Sequence, residues 1–222
     1  MATQKEVLIG VLEAISNKLI QAEKMLTELD SQVGDADCGI GVKRGFSAVL
    51  EELPRTNSME LGDILKKVGF TLAYTIGGTS GAMLGTGFLE AGKSFEQKTE
   101  INSDDIAQAL NRANTVIKRR GGNTQVGDKT LVDALEPAVE SVKKSASQSQ
   151  DLAGLLTNAY QAAKKGSDNT IEIAAKKGRA SYMGERSKGH RDPGSVVIYL
   201  MFEAALEYLK SGGHICDEKD NK

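Results

Sequence analysis

Apolar residues recur at a three-then-four spacing along almost the whole chain, and proline, which would interrupt such runs, occurs only three times. From Val7 the stripe is Leu8, Val11, Leu12, Ile15, Leu19, Ala22, Leu26 and Leu29, which predicts one long helix ending at Asp30. A second runs from Gly39 to Leu53, closed by Pro54. A third follows a cap at Ser58 and carries Leu61, Leu65, Val68 and Leu72, and a fourth begins at Ser80 or Gly81 and reaches Ala91. Ser103, with Asp104 and Asp105 behind it, caps a fifth through Ile106, Leu110, Ala113 and Ile117 to Gly121. A sixth starts near Asp128 with a kink at Pro137, and a seventh spans Asp151 to Lys177. The eighth opens on Asp192 as cap with Pro193 in its first turn, and runs to Gly212 and Gly213.

No segment alternates apolar and polar residues as a half-buried strand would. Tryptophan is absent and aromatics make up 5% of the chain, which argues against a sandwich or barrel of short strands. Neither an internal period nor a linker of changed composition divides the sequence. The expectation is one all-α domain over residues 1–213, a bundle with its site at one end, and a frayed tail at 214–222. Lys and Arg total 28 against 30 Asp and Glu, which leaves no overall positive field for a nucleic-acid backbone or an anionic membrane. No run approaches the roughly 20 apolar residues of a membrane span. Two cysteines, Cys38 and Cys216, are too few for a disulfide framework and fit a reducing, cytoplasmic setting.

The polar and glycine-rich motifs gather in four connections, at 29–43, 76–87, 121–130 and 178–195, which follow the first, third, fifth and seventh predicted helices. In an up-and-down bundle alternate connections share an end, so all four meet. The first holds three carboxylates, Asp30, Asp35 and Asp37, whose hard oxygens at this density suit magnesium, or else form a solvated turn with helix caps. The second, Gly77 to Ala82, precedes a helix and can offer backbone N–H groups with the hydroxyls of Thr79 and Ser80 to a phosphate, although close helix packing explains its glycines equally well. In the third, Gly127-Asp128-Lys129-Thr130, aspartate and threonine serve as caps for the helix that follows. The fourth carries Arg179, Arg186 and Arg191, fork-shaped donors for phosphate oxygens or a surface cluster with Glu185 and Asp192. Together these are the parts of a phosphoryl-transfer site, where catalysis is mostly positioning and charge neutralisation. Neither His190 nor His214 has a Ser or Cys at a recognisable motif spacing, so covalent acyl transfer finds no support.

The combination of Asp30, Gly34-Asp35-Ala36-Asp37, Gly77-Gly78-Thr79-Ser80-Gly81, Gly127-Asp128-Lys129-Thr130, Gly178-Arg179-Ala180-Ser181-Tyr182 and His190-Arg191-Asp192-Pro193-Gly194 resembles the nucleotide-binding L subunit of dihydroxyacetone kinase. It is equally similar to the C-terminal domain of the single-chain, ATP-using enzymes, and the likeness extends to about Gly212. The resemblance implies a closed barrel of eight antiparallel amphipathic helices. It further implies ADP at one mouth, held through two magnesium ions on Asp30, Asp35 and Asp37. It carries nucleotide contacts onto Cys38, Gly39, Ile40, Gly41, Thr79, Ser80, Gly121 or Gly122, Leu131, Arg179, Asp192, Pro193 and Gly194. Arg179 takes the catalytic role, absorbing charge on the transferring phosphoryl group.

The implied partners are a K subunit that presents dihydroxyacetone and an M subunit whose phosphohistidine recharges resident ADP, and the chain itself is allowed to form a homodimer. Freely exchanging ATP, another short ketose such as erythrulose, or a regulatory module without catalysis are the alternatives. The family loop reads G-D-G-D-H-G and then, one residue on, asparagine, whereas this chain places Ala36, Cys38 and Gly41 at the glycine, histidine and asparagine positions. A thiol is a poor ligand for a hard cation, so contacts made by the missing imidazole weaken or come from elsewhere.

Overall fold

A computed structural model describes residues 2–98 and 100–212; Gly213 and the tail at 214–222 lie outside the described residues. Among the described residues nine α-helices run in chain order: α1 (Gln4–Gln21), α2 (Glu23–Val33), α3 (Cys38–Glu52), α4 (Leu61–Thr75), α5 (Gly78–Ser94), α6 (Ser103–Arg120), α7 (Val132–Ser147), α8 (Leu152–Asn169) and α9 (Pro193–Lys210). Three short 3-10 segments, Leu53–Thr56, Thr170–Glu172 and Arg179–Ser187, supplement them, and no strand occurs among the described residues.

Several boundaries differ from the sequence expectation for identifiable reasons. The first predicted helix is two, because Ala22 takes φ −80°, ψ 0° and the chain restarts as α2. Ala22 and Leu26 are nonetheless both buried, so the apolar stripe runs unbroken across the joint. Glu60, not Ser58, occupies the N-cap of α4. Asn102, not Ser103, caps α6: its side chain accepts from the Asp105 N–H at 3.0 Å while Asp105 accepts from the Asn102 N–H at 3.1 Å, a reciprocal capping box. α5 begins at Gly78, earlier than predicted. α7 begins at Val132, not near Asp128, because Lys129 sits in the left-handed region at φ +61° and cannot continue a right-handed helix. Pro137 lies inside α7. α8 ends at Asn169, short of Lys177, and the chain turns extended at Ile173. The Asp192-Pro193 start of α9 is as predicted, the Asp192 carboxylate accepting from the Ser195 N–H at 2.6 Å.

Each long helix packs on its neighbour in the series α1, α3, α4, α5, α6, α7, α8, α9, and α9 packs back on α1, so the order of contacts closes on itself. α2 extends beyond α1 against α3 and α9. Leu19, Leu26, Phe46, Leu72, Val139, Leu155 and Val196 are buried between these helices, each aliphatic side chain contributing about 1.5–3 kcal/mol relative to exposure.

The tightest contact is between α4 and α5, where glycine removes the side chain from both sides. A Cβ on Gly69 would stand 2.7 Å from the Gly85 carbonyl oxygen, and one on Gly85 would stand 2.6 Å from that of Gly69. Gly62 and Gly92 repeat the arrangement at 2.6 and 2.5 Å. This pairing fixes where α5 begins relative to the end of α4, and hence the loop at Gly77. Gly85→Ala is expected to lower unfolding stability by about 1–3 kcal/mol through overpacking, read as a lower urea midpoint with unchanged helical circular dichroism.

Candidate functional site

The four motif-bearing connections meet at one cavity of about 620 Å³. The ends of α2, α4 and α6 reach it at Val33, Ile76 and Gly121, and the beginnings of α3, α5, α7 and α9 reach it at Cys38, Gly78, Leu131 and Pro193. Four helix N-termini therefore direct the positive ends of their dipoles toward the same space, a setting that favours anions. α5 has no side-chain cap, and in α3 the Cys38 N–H is taken by Asp30 and not by the N-cap residue Asp37.

Asp30, the last buried residue but one of α2, anchors the acidic loop. Its Oδ2 accepts from the backbone N–H of Asp37 at 2.9 Å and of Cys38 at 3.1 Å, bending 30–38 into a tight arch. A Cβ on Gly34 would collide with Asp30 Oδ1, so only glycine leaves that oxygen its space. Asp35 and Asp37 are exposed, and carboxylate oxygens of all three acids lie within 4.8 Å of one another. Withdrawal from water and the charges of Asp35 and Asp30 raise the Asp37 carboxyl above its ordinary value. An all-oxygen donor set with this mutual repulsion fits a hard divalent cation. Arg179 supplies positive charge of the protein's own, its Nη1 lying 2.9 Å from Asp35 Oδ2.

Among the other sequence candidates, Cys38, Ile40, Thr79, Ser80, Gly121, Leu131, Arg179, Asp192, Pro193 and Gly194 all line the cavity. Gly39 and Gly41 do not: a Cβ on the first would collide with the Glu23 carbonyl oxygen, and one on the second would stand 2.9 Å from that of Ile76, so these glycines serve helix packing behind the wall. Gly122 stands beside the cavity, its carbonyl accepting from Lys177 Nζ at 3.0 Å. Arg186 is not among the lining residues, and Arg191 pairs with Asp168. His190 meets Gln32 through Nδ1 at 3.0 Å. Burial and the surrounding acids Asp30, Asp192, Asp37 and Asp35 push the Cys38 thiol far above its usual value, so it stays neutral and un-nucleophilic. Asp192 is pushed up to about 7, chiefly by withdrawal from solvent.

Sequence spacing missed Arg44, Thr124, Lys129 and Lys177, which also line the cavity. Arg44 donates through Nη2 to the Ile76 carbonyl at 2.7 Å, satisfying the end of α4 beside Gly77. In the third loop the acids act on their own turn: Asp128 accepts from the Gln125 N–H at 2.9 Å, and Asp133 accepts from the N–H groups of Gly127 and Thr130, both at 2.7 Å. Thr130 Oγ1 accepts from the Val132 N–H at 3.2 Å, which is the capping role expected of it.

Ala36, which stands where the resembled loop has glycine, sits at φ +62°. A Cβ there costs about 1–2 kcal/mol. After allowance for glycine's greater unfolded-chain freedom, Ala36→Gly is expected to raise stability by about 0.5–1 kcal/mol, seen as a melting temperature higher by a few degrees.

Comparison with known proteins agrees with this architecture. The DAK2 domain family matches residues 32–207. The chain is 40% identical over 179 residues to the ADP-binding subunit of the PEP-dependent dihydroxyacetone kinase of Escherichia coli K12, covering 80% of this chain and 84% of that one. It is 35% identical over 194 residues to the ADP-binding subunit of the PTS-dependent dihydroxyacetone kinase of Lactococcus lactis, covering 87% and 92%. The crystal structure of the C. freundii dihydroxyacetone kinase in complex with AMP-PNP and Mg2+ superposes with a TM-score of 0.71 at 26% identity, over 93% of this chain and 34% of that longer one. The chain belongs to the DAK2 domain family, among the ADP-binding subunits of dihydroxyacetone kinases.

Proposed function

We propose that this chain is the nucleotide-binding subunit of a dihydroxyacetone-type kinase, a phosphotransferase that passes phosphate from a magnesium-bound adenine nucleotide to a small hydroxyketone presented by a partner. The observation that carries the reading is the meeting of Asp30, Asp35 and Asp37 with four helix N-termini and Arg179 at one cavity. Names of relatives that specify an ADP-binding subunit of PEP- and PTS-dependent enzymes support a multi-subunit kinase. On this reading residues 1–213 form one domain, a K-type subunit holds the acceptor, an M-type phosphohistidine subunit recharges ADP, and the three work together in the cytoplasm. No helix among the described residues is long and apolar enough to cross a membrane.

Asp30, Asp35 and Asp37 would hold two magnesium ions, which supply charge neutralisation of phosphate oxygens when bound. The rest of the work falls to residues of the chain. The N–H groups at the start of α5, with the Thr79 and Ser80 hydroxyls, bind and orient phosphate oxygens. The exposed Ile40 offers apolar surface to a base in the same cavity, whose wall the buried Met83 and Leu131 also form. The Asp192 carboxylate is committed to the Ser195 N–H, so its contribution is to hold the turn before α9 in place. Arg179, whose side chain is 67% exposed and which reaches Asp35 from a separate loop, can swing between that carboxylate and a transferring phosphoryl group. No side chain of this cavity is needed as a covalent carrier, and the neutral Cys38 is unsuited to be one.

Asp35→Asn and Asp37→Asn are each expected to abolish magnesium-dependent ADP binding in calorimetric titration while leaving helical circular dichroism unchanged. Unchanged nucleotide affinity in both variants would reject the assignment. Cys38→His, which restores the family residue at the α3 N-terminus, should tighten nucleotide binding or leave it unaltered; a clear loss would assign the thiol a role of its own.

A further inference from the structure

The fourth connection is a loop closed at its neck. Between the end of α8 and the start of α9 the chain leaves and returns to the same place, with Gly189 N–H donating to the Ile171 carbonyl at 2.8 Å and Asp192 N–H to Thr170 Oγ1 at 3.0 Å. Halfway along, the Ala175 N–H donates to Ser187 Oγ at 2.8 Å. Arg179 rides near the far end, where glycine at φ +63° (Gly178) and at φ +54° (Gly184) flank its turn.

Lys129 enters this neck from the third loop. The residue is 1% exposed, although lysine is almost never buried without a partner. The ammonium donates to the carbonyls of Thr170 at 2.5 Å and Ile173 at 3.3 Å on the outgoing leg, and of His190 at 2.5 Å on the returning leg. Three acceptors match the three donors of an ammonium group, so it is fully satisfied without a direct carboxylate partner. The backbone supports the same junction. Lys129 takes φ +61°, disfavoured for a side-chain-bearing residue, and the preceding Asp128 carbonyl accepts from the Lys176 N–H at 3.0 Å. Strain of this kind persists only where the surroundings over-determine it, and here they do so where two site loops join.

We propose that Lys129 is the positioning residue of the Arg179 loop: by tying both legs of the neck to the third loop, it holds Arg179 over the acidic arch. The proposal rests on the reading of Arg179 as the phosphate-facing arginine. Lys129 touches neither Arg179 nor the acids in its hydrogen bonding, so it acts through the loop backbone.

The test uses the full chain with Lys129→Met, which keeps much of the stem volume and removes the three donors, and Lys129→Gln as a milder companion. Tryptic cleavage within 176–191 should accelerate about tenfold or more, because the neck opens at lower free energy, with helical circular dichroism retained. Affinity for magnesium-ADP should fall in Lys129→Met and in Arg179→Ala, and the double variant should be no weaker than Arg179→Ala alone, since one residue works through the other. Unchanged cleavage of the loop, or losses in affinity that add in full, would overturn the proposal; a destabilised barrel without a specific effect on Arg179 produces the additive result. Failure of the underlying reading is distinguishable, because Arg179→Ala would then leave affinity and transfer untouched while the cleavage result still reports on the neck. Should both Lys129 variants unfold, hydrogen exchange in the unaltered chain decides. Protection of the Lys176 and Gly189 amides by about 100-fold or more over open-loop rates supports the clamp, and open-loop exchange refutes it.

Discussion

Four helices begin at the same cavity, and nearly everything else about the molecule follows from that constraint. A helix N-terminus carries a partial positive charge, and α3, α5, α7 and α9 bring four such ends to one mouth, where Asp30, Thr130 and Asp192 already accept from one N–H each of α3, α7 and α9. Such a concentration is an anion site in waiting. Asp30, Asp35 and Asp37 oppose it from the end of α2 and the arch beyond it, which makes the mouth attractive to a cation and a polyanion together. A magnesium nucleotide is the ligand class with that pair of charges. Helix packing keeps the ends in register: glycine pairs between α4 and α5 set the start of α5, and Gly39 and Gly41 let α3 press against α2 and the end of α4.

The helices and the meeting of the four loops were legible in the sequence because both depend on short-range pattern. A three-then-four stripe needs only local spacing, and alternate connections share an end whatever the side chains do. The break at Ala22 was invisible for the same reason, since α1 and α2 bury one continuous stripe from Leu19 to Leu26. Asn102 displaced Ser103 because it forms a reciprocal capping box with Asp105, and α4 follows Glu60 with no side-chain cap bond at all, so no cap residue there could have marked its start. Lys129 was beyond the reach of spacing. Its acceptors lie 41, 44 and 61 residues away in sequence, and a lysine in a polar loop ordinarily points to water.

The three departures from the family loop have different physical weights. Ala36 costs backbone strain but leaves the arch intact, since Asp30 still receives both N–H groups beyond it. Gly41 sits behind the cavity wall against Ile76, where a larger residue would need the end of α4 to move. Cys38 changes the electrostatics most: where the resembled loop has a histidine able to carry positive charge, this chain has a thiol that burial and four neighbouring acids keep neutral. The burden of balancing the acidic arch shifts to Arg179, already paired with Asp35, and to whatever cations bind there.

The central claim is that adenine nucleotide binds this mouth through divalent metal on the three aspartates. The most direct measurement is calorimetric titration of ADP into nucleotide-stripped protein, with magnesium and then with excess EDTA. The predicted result is saturable binding of about one ADP per chain that EDTA abolishes. Binding that survives chelation, or no binding with magnesium present, would contradict it.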